Sequence, residues 1–124
     1  MDETRPLILY VDDDPDYRDM VRVILEANGF RMNEAGTAEE GIRSFKRETP
    51  DLVLVDLMME EIDAGTNLIT NLRAHGADVP IYMLSSVGDD FAVTADTREM
   101  GLAGVFQKPI DERTLLAMLK ARLG

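Results

Sequence analysis

Short, almost uninterrupted apolar runs alternate along this chain with segments in which apolar residues recur every three or four positions. Leu7–Val11, Leu52–Val55 and Ile81–Leu84 have the length and composition of strands buried on both faces. Arg31–Ala35 and Val105–Gln107 read as weaker strands. The helical segments between them carry start and stop signals. Asp14 is placed to cap the first, with Pro15 at a position where a missing N–H costs nothing. Tyr17, Val21, Ile24 and Leu25 then share one face, and Gly29 stands where a left-handed cap is wanted. Thr37 and Glu40 have capping-box spacing and open a second helix through Ile42 and Phe45, which Pro50 ends. A third helix is predicted from about Thr66 to Ala74, burying Leu68, Ile69 and Leu72, and a fourth, with a thin apolar face, from Asp90 to Met100. Asp111 caps the last, where Leu115, Leu116, Leu119 and Leu123 form a stripe. Met20, Met83, Met100 and Met118 fall at apolar-pattern positions and read as core filler. Five successive βα units predict an α/β protein built on a parallel five-stranded sheet.

Composition narrows the setting. A chain of 124 residues fits one domain and buries a core without disulfides, and it contains no cysteine. No apolar stretch approaches the roughly 20 residues that span a bilayer, and Met1 to Arg5 has no signal-peptide character. A soluble cytoplasmic protein without membrane contact is the expectation. A net charge of −11 argues against nucleic acid as a direct partner, since phosphate backbones are bound by clustered Lys and Arg. It favours solubility or attraction to a basic partner or a divalent cation.

The candidate chemistry lies at the strand ends. Asp12, Asp13 and Asp14 follow the first strand, Asp56 the third, Ser85 and Ser86 the fourth, and Lys108 the fifth. In open parallel sheets, ligands bind outside these carboxyl ends. Two unit charges about 5 Å apart repel by roughly 3 kcal/mol at an effective dielectric of 20, so acids gathered there need a cation. A hard ion such as Mg²⁺ takes oxygen ligands and keeps several waters. Asp12, Asp13 and Asp56 against Mg²⁺ and Lys108 make a neutral site.

Four motifs together resemble the receiver domain of two-component response regulators, over essentially the whole chain. They are VDDDP (residues 11–15), LVLVDLMM (52–59), IYMLSS (81–86) and FQKPI (106–110). The resemblance implies a flavodoxin-like, doubly wound (βα)5 fold with strand order 2-1-3-4-5. It implies that Asp56 accepts a phosphoryl group from a phosphohistidine, on a histidine kinase or a histidine phosphotransfer protein, and later loses it to water. Mg²⁺ would be bound directly by Asp13, Asp56 and the backbone carbonyl of Met58, and by Asp12 through a water. Lys108 would pair with one phosphoryl oxygen and Ser85 would donate to another. Lys108-Pro109 would be cis. Catalysis would be confined to Mg-dependent modification and demodification of the chain itself, with binding of an unknown downstream protein as the output. With no residues left for an output domain, a stand-alone, chemotaxis-receiver-like domain over residues 1–124, monomeric or weakly dimeric, is the expectation.

The chain departs from the family pattern at several points. Val105 holds the place of an aromatic switch residue, and Phe106 next along should face the other side of the sheet. The signal would then be carried by the loop from Ser86 to Asp90 and the fourth helix. Glu60 stands where proline is preferred, and residues 61–65 form a loop one residue longer than usual. Met58 and Val87, both apolar, flank the expected path of the attacking water and imply slow phosphoryl loss. Asp14 and Asp16 read as helix N-terminal charges, and His75 as a surface or C-cap residue. Two other classes fit parts of the chain. A pseudo-receiver would bind partners without phosphorylation. A haloacid-dehalogenase-like phosphatase would use Asp12-Asp13-Asp14 and Gly88-Asp89-Asp90. Against the phosphatase stand Pro15 after the acids, Lys108 beyond the acidic motif, and the short chain.

Overall fold

In the computed structural model, residues 5–56, 70–74, 78–85, 103–108 and 110–123 are described, with the side chain of Ser85 excepted. Chain order runs β1 (Leu7–Val11), α1 (Pro15–Ala27), β2 (Arg31–Ala35), α2 (Ala38–Arg47), β3 (Leu52–Asp56), β4 (Ile81–Ser85), β5 (Gly104–Gln107) and a C-terminal helix (Glu112–Leu123). Residues 70–74 are helical as well. The strands form one sheet in the order β2-β1-β3-β4-β5, and every pairing is parallel.

The alternation of side chains along each strand divides the core in two. Leu9, Val11, Val53, Val55, Ile81 and Met83 pack with Phe45 of α2 and with Leu72, which is fully buried. Ile8, Tyr10, Leu52, Leu54, Tyr82 and Leu84 pack on the other face with Val21 and Leu25 of α1 and Leu115 and Leu119 of the C-terminal helix. Helices therefore cover both faces, the doubly wound arrangement that buried parallel strands require. Each buried leucine or valine side chain contributes about 1.5–3 kcal/mol relative to exposure.

Local chemistry sets the helix boundaries. The Asp14 side chain accepts the backbone N–H groups of Asp16 and Tyr17, with Pro15 in the first turn, and Gly29 closes the far end at φ +88°. Thr37 caps α2 by accepting the N–H of Glu40 at 3.1 Å. The expected reciprocal bond is displaced by one residue, since the Glu40 carboxylate takes the N–H of Gly36. Asp111 accepts both the N–H and the hydroxyl of Thr114 at the start of the last helix. Gly104 is required by a close approach: a Cβ there would lie 2.9 Å from the Tyr82 ring.

One packing expectation fails. Met20 is 38 % exposed rather than in the core, because at 100° per residue it sits at the rim of the stripe centred on Val21. Met83 is buried and Met118 packs partly against the second cluster. The fourth helix, Met100, most of the third helix, Glu60 to Gly65, His75, Ser86, Val87 and the Lys108-Pro109 bond lie outside the described residues.

Candidate functional site

The chain leaves β1 for β2 on one side and returns through β3 on the other, so the strand order reverses between β1 and β3. Val11 pairs with Val55, which brings the next residues, Asp12 and Asp56, side by side at the carboxyl edge. Two-residue periodicity puts both on the face of Tyr10 and Leu54, toward α1. Asp12 is fully buried and Asp56 nearly so, while Asp13 is exposed. One carboxylate oxygen from each of the three lies within 4.8 Å of the others.

Lys108 closes this cluster from the end of β5. Its Nζ donates to Asp12 Oδ2 at 2.9 Å and lies 3.4 Å from Asp56 Oδ1, with 14 % of the side chain exposed. Burial alone would lower its pKa, but the hydrogen bond to Asp12 and the charge of Asp56 outweigh it and hold the ammonium above the ordinary lysine range. The Tyr10 hydroxyl also donates to Asp12 Oδ2, and the Asp14 N–H to Oδ1 at 3.0 Å. Tyr10 remains a neutral donor, since burial and then the neighbouring Asp12 push its hydroxyl far above the usual tyrosine pKa. Tyr17, from α1, lays its ring against Lys108, with Nζ 4.2 Å from the ring centroid.

Of the residues named from sequence, Asp12, Asp13, Asp56 and Lys108 converge. The backbone of Ser85 ends β4 beside Gln107, and Met58 lies outside the described residues. Asp14 is the helix cap it was expected to be. Val105 and Phe106 do turn to opposite faces: Val105 packs in the cluster with Met83, and Phe106 against Tyr82 with ring centroids 5.5 Å apart. Tyr10 and Tyr17 belong to the site as well, although the hydrophobic pattern marks both only as apolar positions. A hydroxyl two residues before Asp12 on the same strand face was the available signal.

Among the described residues, three carboxylates against one ammonium form an anionic cluster of hard oxygen donors, the donor set that Mg²⁺ prefers. The residues present therefore fit such an ion.

Comparison with known proteins agrees with this geometry. Residues 8–120 match the family described as the response regulator receiver domain, and the chain belongs to that family. It is 35 % identical over 123 residues to the DNA-binding response regulator MtrA of Mycolicibacterium smegmatis, covering 99 % of this chain and 53 % of that protein. It is 33 % identical to the probable transcriptional regulator ycf27 of Guillardia theta, covering 98 % and 46 %. The chain thus spans about half the length of these curated relatives. Among solved structures, a CheY-like response regulator receiver domain protein from Methanospirillum hungatei superposes with a TM-score of 0.83 at 27 % identity, covering 97 % of this chain and 94 % of that one. The receiver domain of NtrX from Brucella abortus gives 0.85 at 26 %, covering 94 % and 97 %. The sheet order 2-1-3-4-5 with helices on both faces is the flavodoxin-like fold of these domains.

Proposed function

We propose that residues 1–124 act as a phosphorelay receiver in which Asp56 is the phosphoryl acceptor. The observation that carries this reading is the convergence of Asp12, Asp13, Asp56 and Lys108 at the strand-order reversal. An Asp56 carboxylate oxygen forms the new P–O bond while the P–N bond of a phosphohistidine breaks. The imidazole nitrogen keeps the electron pair and takes up a proton. Phosphoryl transfer asks mainly for positioning and charge neutralisation. Bound by Asp13, Asp56 and the Met58 carbonyl, with Asp12 acting through a water, Mg²⁺ would supply neutralising charge for the phosphoryl oxygens. Lys108, already 3.4 Å from Asp56, adds a compact positive charge. Ser85, following Leu84, the register partner of Asp56, donates to another phosphoryl oxygen after transfer.

Catalysis here is modification of the chain's own side chain and its reversal by water. The partners are a histidine kinase or histidine phosphotransfer protein and a downstream protein that reads the modified state. The name of the relative MtrA includes DNA binding, but the charge of −11 argues against these residues as the part that touches DNA. No helix among the described residues is long and apolar enough to cross a membrane, and a cytoplasmic setting accords with the absence of cysteine.

Incubation with acetyl phosphate and Mg²⁺, followed by intact mass measurement, tests the reading. The wild-type chain should gain one phosphoryl group, and Asp56→Asn should gain none. An unmodified wild type would leave a pseudo-receiver, and label retained in Asp56→Asn would move the acceptor elsewhere.

A further inference from the structure

We propose that Tyr17 is a positioning residue for Lys108: its ring face holds the ammonium over the two buried carboxylates and keeps it there as charge moves onto the group attached to Asp56. The proposal rests on the receiver reading and adds to it a residue of α1. The ring centroid lies 4.2 Å from Nζ, within the range where a cation is attracted by an aromatic face.

Lys108 has unequal anionic partners, Asp12 at 2.9 Å and Asp56 at 3.4 Å. With these contacts alone, the closer and fully buried acid would draw the ammonium away from the reacting side chain. A third contact that carries no charge restrains it without adding to the crowd of anions. Unlike an oxygen acceptor, it does not compete with carboxylate and phosphoryl oxygens for the N–H groups. An aliphatic side chain at this place would desolvate Lys108 equally and return nothing.

The ring itself is well fixed. The Tyr17 N–H is bound by the capping carboxylate of Asp14, and the side chain packs against the cluster containing Val21 and Leu25. The Asp14 N–H in turn binds Asp12. Cap, ring, lysine and acid are thereby tied through one helix terminus.

The test uses the full chain with acetyl phosphate and Mg²⁺, comparing wild type, Tyr17→Leu and Tyr17→Phe after thermal unfolding has shown that all three fold. Tyr17→Leu should slow phosphoryl gain by roughly three- to tenfold, and Tyr17→Phe should recover the rate to within about twofold. In parallel, the Lys108 ε-methylene protons should be shifted upfield by the ring in wild type and Tyr17→Phe, and lose that shift in Tyr17→Leu. A Tyr17→Leu rate equal to wild type, a Tyr17→Phe rate as low as that of Tyr17→Leu, or unshifted methylene protons in the wild type would each overturn the role of Tyr17 alone. A wild type that gains no phosphoryl group would overturn the phosphorelay reading, and this proposal with it.

Discussion

Two charged clusters flank the end of β1, and they differ in charge balance. On the α1–β2 side, Glu34 sits between two arginines, with Arg18 Nε and Arg22 Nη2 each 2.7 Å from one of its oxygens. Glu26 also pairs with Arg22 at 3.0 Å, so two acids meet two cations, and both arginines bind backbone as well: Arg18 donates to the Asp12 carbonyl and Arg22 to the Met32 carbonyl. On the β1–β3 side three acids meet one lysine. The first cluster is complete within the protein, clasping α1 to β2. The second remains anionic among the described residues, and two of its acids, Asp12 and Asp56, are buried, where unbalanced charge costs most. Structural ion pairs close upon themselves, whereas an anionic cluster leaves charge for a cation to neutralise.

Removing Lys108 should give the largest effect. In Lys108→Met the buried Asp12 and Asp56 lose the ammonium that lies between them, which should cost about 3 kcal/mol without divalent ion. Phosphoryl gain from acetyl phosphate should fall about 100-fold. On the proposed site Mg²⁺ would bind the folded acids, so titrating it during chemical denaturation should recover much of the lost stability. A variant as stable as wild type without Mg²⁺, or indifferent to added Mg²⁺, would mean that the acids are not the unbalanced cluster described here.

Tyr10→Phe should come next. Asp12 Oδ2 then keeps Lys108 but loses the hydroxyl donor at a fully buried carboxylate, at a cost of about 1–3 kcal/mol in denaturant unfolding. Here the loss is of a hydrogen bond rather than of net charge, so Mg²⁺ should not restore it selectively. Equal rescue of Tyr10→Phe and Lys108→Met by Mg²⁺ would remove the distinction between them.

The same contrast explains what was legible in the amino-acid order. β1, β3 and β4 were legible because strands covered on both faces need unbroken apolar runs, and Asp12, Asp13 and Asp56 because each follows or ends such a run, while Lys108 follows the weaker strand β5. Asp14, Pro15 and Gly29 marked α1 through backbone chemistry that is local in sequence. Contacts between distant residues of ambiguous character were not legible. Tyr10 and Tyr17 fit an apolar pattern by their rings, and only the fold shows that one spends its hydroxyl on Asp12 and the other its face on Lys108. Glu34 lies in a half-exposed edge strand, so nothing nearby announces that residues of α1 will clasp it. Met20 failed because a single methionine at a stripe's rim satisfies the periodicity without entering the core.

The smallest expected effect belongs to the balanced cluster, and its pH dependence has a definite sign. Hydrogen bonds from Arg22, and secondarily from Arg18, hold the Glu34 carboxyl below its ordinary pKa of 4.5 against the opposing influence of burial. A carboxyl depressed in the folded state contributes stability that is complete above the unfolded pKa and lost as pH falls through the folded value. Glu34→Gln should therefore be less stable than wild type at neutral pH, by no more than about 1 kcal/mol for so accessible a pair. The difference should close as the solution is acidified below 4.5. High salt at neutral pH should narrow it as well, since partly exposed charges are screened. A gap that persists unchanged on acidification would show that Glu34 acts through packing, and that the two clusters differ in location rather than in charge balance.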